Sequence, residues 1–362
     1  MKVILSRSES ASASGAGLGS GSGSGLGPVS GSRSVSGSGP RCLGRSLAAT
    51  ALAAVLLTVT AARAAEDPGR PAWSDLIPDK IQPPNPVEGP RHIPGSARSY
   101  TATQIDDGSN PPDWFPVGHP PAPQIVAHGH PPEVPGCALC HLYSGQGHPE
   151  SANLAGQPAG YLARQMADFK SGARVDPARM TAIGRATSDE DAKVAAQWFA
   201  SLTPVVWFKV VESDQVPKTW ITPDHLRLRR PEGGVEPLGR RIVEFADNTE
   251  LARDRDPDSG FTSYVPVGSV AAGKHLAETG AEGRSVACTT CHGQQLEGLG
   301  EVPRIVGLSA VYVAHQLAGF RGNGRTGTLA DPMRVVAAKL TQDDILYLAA
   351  YLVSLEPGGP KR

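Results

Sequence analysis

A chain of 362 residues with 34 basic and 35 acidic side chains has a formal charge of −1, which gives it no broad basic surface for nucleic acid. With 40% hydrophobic residues it is long and apolar enough for two domains with additions.

The first 64 residues do not read as fold. Residues 5–40 are dominated by Ser and Gly and resemble an over-long n-region, for which initiation at Val29 or Val35 would be a simple explanation. Arg41 and Arg45 then precede an apolar run, Leu47 to Ala62, closed by Ala62-Arg63-Ala64, a small-x-small cleavage site of secretory type. The run is shorter than the ~20 residues of a spanning helix, so a cleaved signal peptide and export to the periplasm are expected. Cleavage after Ala64 or Ala65 also removes Cys42. Loss of residues 1–64 takes six basic residues and one acidic, and leaves a formal charge of −6. That mild acidity suits docking on a basic patch of a redox partner.

Residues 65–132 form a proline-rich extension with Trp73, Trp114 and a run from Pro116 to Pro135. Its His119, His128 and His130 have no acidic or cysteine company and read as surface or structural histidines rather than a metal site. No clear helix signal precedes residue 133.

Cys137-Ala138-Leu139-Cys140-His141 is a Cys-x-x-Cys-His pentapeptide, and Cys288-Thr289-Thr290-Cys291-His292 is a second. This is the attachment pattern of c-type haem: two cysteines add across the porphyrin vinyl groups and the adjacent histidine faces the iron. Cys-x-x-Cys also serves zinc ribbons and dithiol redox motifs. Zinc ribbons usually bring their pairs within ~15–20 residues, whereas residues 137 and 288 differ by an offset of 151, and neither alternative explains the histidine. With Cys42 removed, the four remaining cysteines are all used by the two motifs. Two covalent haems c are expected.

The same offset of 151 aligns Leu154-Ala155-Gly156 with Ile305-Val306-Gly307, Tyr161 with Tyr312, Gln165 with Gln316, Phe169 with Phe320 and Arg174 with Arg325. After a two-residue insertion the offset is 153, aligning Met180 with Met333, Ser188 with Thr341 and Trp198 with Tyr351. One unit has been duplicated. Tyr161, Gln165 and Phe169, and their counterparts, recur at helical spacing. Ser188 with Asp189-Glu190-Asp191, and Thr341 with Asp343-Asp344, are N-cap and acidic first-turn signals for last helices reaching Leu202 and Leu355. Val270 to Thr279, with Ser269 as candidate cap, leads into the second motif.

Between the repeats, residues 204–267 carry β-branched and aromatic runs at 205–211, 241–245 and 261–267, with prolines 204, 217, 223, 231 and 237 read as turns. A small β element packing over both haem units is expected.

Each iron needs a sixth ligand. Met1 leaves with the signal segment and Met166 lies in a helix, whereas Met180 and Met333 occupy matching loop positions before the last helices. Thioether sulfur favours ferrous iron and raises its potential. One of the arm histidines in place of Met180 is the alternative at the first iron.

With these residues in view, both units resemble class I cytochrome c domains, and their tandem resembles the dihaem cytochrome c4 family over residues 136–203 and 268–356. The resemblance implies a mainly α fold with two tandem haem domains, at 133–203 and 268–358, a Pro-rich arm at 65–132 and a β-containing linker at 204–267. It implies Cys137, Cys140, Cys288 and Cys291 as thioether residues, His141 and His292 as proximal ligands, and Met180 and Met333 as distal ligands. Arg174 and Arg325 would lie near haem propionates, against a reading as solvated helix-end arginines. Three departures stand out. Ala152 replaces the proline that stands at 303, whose carbonyl orients the proximal histidine; the first unit lacks a leading helix; and the linker is long.

The expected function is electron transfer by two His/Met haems, one electron at a time, from a donor such as a dehydrogenase to an acceptor such as an oxidase, free or in a membrane complex. No catalytic residue is assigned. The competing reading is a haem enzyme such as a dihaem peroxidase, which needs an open sixth position at iron. A third is a dedicated cytochrome subunit of a periplasmic oxidoreductase.

Overall fold

The computed structural model describes residues 69–80, 89–147 and 151–358. The n-region, the signal segment and Cys42 lie outside the described residues, as do residues 65–68 and 81–88 of the extension. Among the described residues helical residues outnumber strand residues. Among the described residues no helix is long and apolar enough to cross a membrane.

The extension is mostly irregular, as its prolines dictate. Among the described residues it contains a single 3-10 turn, Ala72–Ser74, and two short helices, α1 (Ala102–Ile105) and α2 (Gln124–Ala127). A capping box between Thr101 and Gln104 opens α1. Trp114, Ile93 and Ile105 make a small core of their own. Ile125 and Val126 of α2 belong instead to the core of the first repeat, beside Leu162, Trp198 and Phe199.

That repeat comprises α3 (Ala138–His141), α4 (Ala159–Ser171), α5 (Met180–Ala186) and α6 (Asp189–Ala200). The apolar stripe of α4 buries Leu162, Gln165 and Phe169, and the helix stops at Gly172 in the left-handed region. Ser188 caps α6 by accepting from the Asp191 amide, with three acidic residues in the first turn.

The linker forms β1 (Phe208–Glu212), β2 (Gln215–Pro217), β3 (Thr219–Ile221), β4 (Arg227–Arg229), β5 (Val235–Pro237), β6 (Val243–Ala246), α7 (Thr249–Arg253) and β7 (Phe261–Val265). The three expected runs become one sheet of order β1-β7-β6, with β1 parallel and β6 antiparallel to β7. The reading of Pro217 and Pro237 as turns is corrected. Both sit in the two-stranded ladder β2–β5, paired with Val235 and Gln215, where an edge strand tolerates a missing amide donor. The sheet does not stand apart: Trp207, Phe208, Phe261 and Val265 share one core with the second repeat and with Leu142 of the first. The Trp207 indole also donates to the Gly147 carbonyl at 3.0 Å.

The second repeat follows as α8 (Ser269–Thr279), α9 (Thr289–His292), α10 (Ala310–Arg321), α11 (Asp331–Ala337) and α12 (Gln342–Ser354). Ser269 is not the cap of α8. Gly268, at φ 81°, takes that position, and the Glu212 carboxylate accepts from the Val270 amide at 3.0 Å. A capping box between Thr341 and Asp344 opens α12. Helix α8 lies against α12 so closely that a Cβ on Gly273 would collide with the Tyr347 carbonyl oxygen.

Candidate functional site

Each Cys-x-x-Cys-His segment closes into a single helical turn whose first cysteine is the N-cap. The cap and the turn bring both cysteines and the histidine of each motif within five consecutive residues, so one planar group can meet all three. Cys137, Cys140, Cys288 and Cys291 are free thiols. Burial pushes the Cys137 thiol up to about 12 and that of Cys288 up to about 11. That burial disfavours the thiolate at the first cysteine of each motif.

Both histidines are buried and mounted in one way. His141 Nδ1 donates to the Ala152 carbonyl at 2.9 Å, and His292 Nδ1 to the Pro303 carbonyl at 2.8 Å. A carbonyl can only accept, so the proton sits on Nδ1 and the Nε2 lone pair is free for a metal. Burial lowers both imidazole pKa values and keeps the rings neutral, as ligation requires. Phe199 meets the His141 ring edge-on at 6.0 Å. The departure at Ala152 therefore leaves the hydrogen bond intact, because the bond uses only backbone. These donor sets fit covalent haem c.

Met180 and Met333 are not in loops. Met180 is the first residue of α5 and Met333 lies in α11, each half-buried. Asp176 draws the chain into a turn at Met180 by accepting from the Ala178 and Met180 amides, both at 3.0 Å. Helix α5 packs on α4 and α11 on α10, so the two methionines keep matching places in the repeat.

Arg174 and Arg325 are not solvated. Each is 8% exposed, and the two pair as an isolated bridge between the repeats. Arg174 donates to Gln165 at 2.9 Å, to Gln316 at 2.8 Å and to the Tyr312 hydroxyl at 3.3 Å. Arg325 donates to Gln316 at 3.0 Å and Gln165 at 2.6 Å. Burial pushes the Tyr161 phenol up, but the charges of Arg325 and Arg174 outweigh it and hold it below the usual range. Arg174 also lies over the Phe169 ring at 4.5 Å and Arg325 over the Phe320 ring at 4.0 Å, so the two charges are held by neutral oxygens and aromatic faces.

The arm histidines occupy separate places. His119 stacks on Tyr143 and bonds to Asp113, His128 bonds to the Ser109 carbonyl, and His130 bonds to Asp191.

Sequence reasoning missed a second buried cluster. Arg304 bonds to Asn153 and to the carbonyls of Ala155 and Val306, and Gln157 pairs with its backbone. Its sequence signal was an unequal pair, Asn153 against Arg304, next to the unequal pair of Ala152 and Pro303.

No family model matches the chain. The thiosulfate dehydrogenase electron acceptor of Thiomonas intermedia (strain K12) is 26% identical over 237 residues, 64% of this chain and 83% of that protein. Cytochrome c4 of Azotobacter vinelandii is 36% identical over 137 residues, 34% of this chain and 65% of its own length. Cytochrome c-554(547) of Halothiobacillus neapolitanus is 33% identical over 98 residues, 25% of this chain and 99% of its own.

Proposed function

The chain belongs to the cytochrome c4-like family of c-type cytochromes, which hold haem covalently, and on that premise we propose that it is a periplasmic dihaem electron carrier. The observation that carries this reading is the histidine mount built twice, with a free Nε2 above a helical turn of two cysteines. In this reading Cys137 and Cys140 hold one haem within residues 133–203, and Cys288 and Cys291 the other within residues 268–358. His141 and Met180 ligate the first iron, His292 and Met333 the second.

When bound, haem c supplies a one-electron iron couple. The chain supplies the setting. Each Nδ1–H···O=C bond fixes the imidazole plane and raises its donor strength. The packed cores behind His141 and His292 exclude water, so little reorganises when charge changes. Arg174 and Arg325 offer their buried charge to the haem propionates. A relative named as the electron acceptor of thiosulfate dehydrogenase supports a dehydrogenase as donor, with a terminal acceptor such as an oxidase downstream. The chain then acts as a free carrier or as the dedicated cytochrome subunit of such a dehydrogenase.

Pyridine haemochrome analysis is expected to give two haems c per chain. Met180→His and Met333→His should each remove half of the far-red methionine-to-iron absorption. A single haem, or a band untouched by either substitution, would sink the assignment.

A further inference from the structure

Arg304 sits where the two histidine mounts meet. It follows Pro303, whose carbonyl holds His292, and its side chain reaches across to the segment that follows Ala152, whose carbonyl holds His141. Its Nη2 donates to the Asn153 side-chain oxygen and to the Ala155 carbonyl, both at 3.1 Å. Its Nη1 turns back to the Val306 carbonyl. Gln157 pairs with the Arg304 backbone in both directions, donating to its carbonyl and accepting from its amide at 3.0 Å each. Asn153 in turn donates to Gln146 at 2.6 Å. One side chain thus ties residues 153 and 155 of the first unit to residues 304 and 306 of the second.

We propose that Arg304 is a positioning residue shared by the two haem sites, a single buried cation that clamps both histidine mounts and raises the reduction potentials of both irons together. The inference rests on the two-haem reading above.

The side chain is 3% exposed and its Nε is buried with no hydrogen-bond partner. Burying a guanidinium incompletely bonded is costly, and plain packing does not need it. Burial lowers its pKa to about 10, with Glu297 opposing, so it stays charged at neutral pH. In a medium of low dielectric that charge acts over longer distances than a surface charge, with little screening by salt. A cation stabilises the electron-richer ferrous state, and the clamp also holds the backbone that sets imidazole donor strength.

The test is a spectroelectrochemical titration of the holoprotein that resolves both haems, with haemochrome content and the far-red band measured on each sample. Arg304→Gln is expected to shift the ferrous/ferric equilibrium of both haems about tenfold toward ferric, which is about 59 mV for one electron. Arg304→Lys keeps the charge and should stay within about threefold of the parent. Asn153→Asp sets a carboxylate against the guanidinium without changing side-chain size, and should lower both potentials even if Arg304→Gln fails to mature. Full haem content with a shift at one haem alone, or at neither, in Arg304→Gln or Asn153→Asp overturns the shared role. A parent protein without two haems would overturn the reading beneath it instead.

Discussion

In the second unit the amide of Cys288 donates to the Ala277 carbonyl at 2.9 Å, from a helix of 11 residues that lies along α12. In the first, the amide of Cys137 donates to the Ile125 carbonyl at 3.2 Å, from a helix of only 4 residues in the proline-rich extension. The two positions do one job with different parts. Ala277 lies on α8, which closes on α12 at Gly273, while Ile125 lies on α2 and packs beside Leu162, Trp198 and Phe199. The attachment turns differ as well. Ala138 and Leu139 are buried, and Arg255 of the linker donates to the Leu139 carbonyl at 2.8 Å, whereas Thr290 and Cys291 are exposed. A histidine mount therefore needs one backbone acceptor and one apolar plug at this place, and the chain can supply them from a helix or from an arm.

The sharpest way to break that equivalence is Ile125→Ala, which gives the first unit the residue of the second without the helix that closes over it. Ile125 is 1% exposed, so the lost methylenes leave a cavity and the cost should be about 2–5 kcal/mol. Urea unfolding followed at haem-resolved NMR signals should show the native signals of the first haem lost well before those of the second. Simultaneous loss would mean that the extension is not part of the first unit's core.

The repeat was legible in the sequence because its constraints are local. The caps at Ser188 and Thr341, the stripe through Tyr161, Gln165 and Phe169, and the two pentapeptides each work within a few residues of chain, and all recur in place. The three strands of the main linker sheet were legible for the same reason, whereas the ladders β2–β5 and β3–β4 were not. What was not legible depends on partners far apart in sequence: α2 becoming a substitute helix, Arg174 and Arg325 meeting across the repeat, and Arg304 reaching residue 153. The short helix at Met180 was missed because its start is set by the Asp176 side chain, not by apolar period, and the one holding Met333 opens on Asp331-Pro332 with no side-chain cap.

Gly273→Ala probes the other half of the comparison. Alanine gains about 1 kcal/mol of helix propensity, but its Cβ would fall 2.6 Å from Cβ of Tyr351 and nearer still to the Tyr347 carbonyl oxygen. Backbone must move to admit it, so overpacking outweighs propensity and a net loss of about 1–2 kcal/mol is expected, confined to the second haem. Thermal unfolding read at the second haem's signals checks this; an unchanged or raised midpoint would show that α8 and α12 have slack.

The smallest contrast lies in the caps of the last helices. Asp191 accepts from the Ser188 hydroxyl at 2.6 Å and from His130, while Asp344 accepts from the Thr341 amide at 2.8 Å and pairs with Arg284 at 2.8 Å. Burial opposes ionisation of Asp344, but the bonds from Thr341 and the Arg284 charge outweigh it and hold its pKa below the ordinary range. The native state then binds the proton less tightly than the unfolded chain. Stability from this group is present above the unfolded value near ~3.9 and is lost as pH falls through the lower native value. Asp344→Asn keeps a capping oxygen and loses the ion pair, whose arginine is 43% exposed, so the cost at pH 7 should be only about 0.5–1 kcal/mol. Urea titrations at pH 7 and pH 2.5 should show that difference shrinking toward zero at the acid end. An equal difference at both would mean that the asparagine is a worse cap and that charge contributes nothing, which would make the two last helices energetically alike despite their different partners.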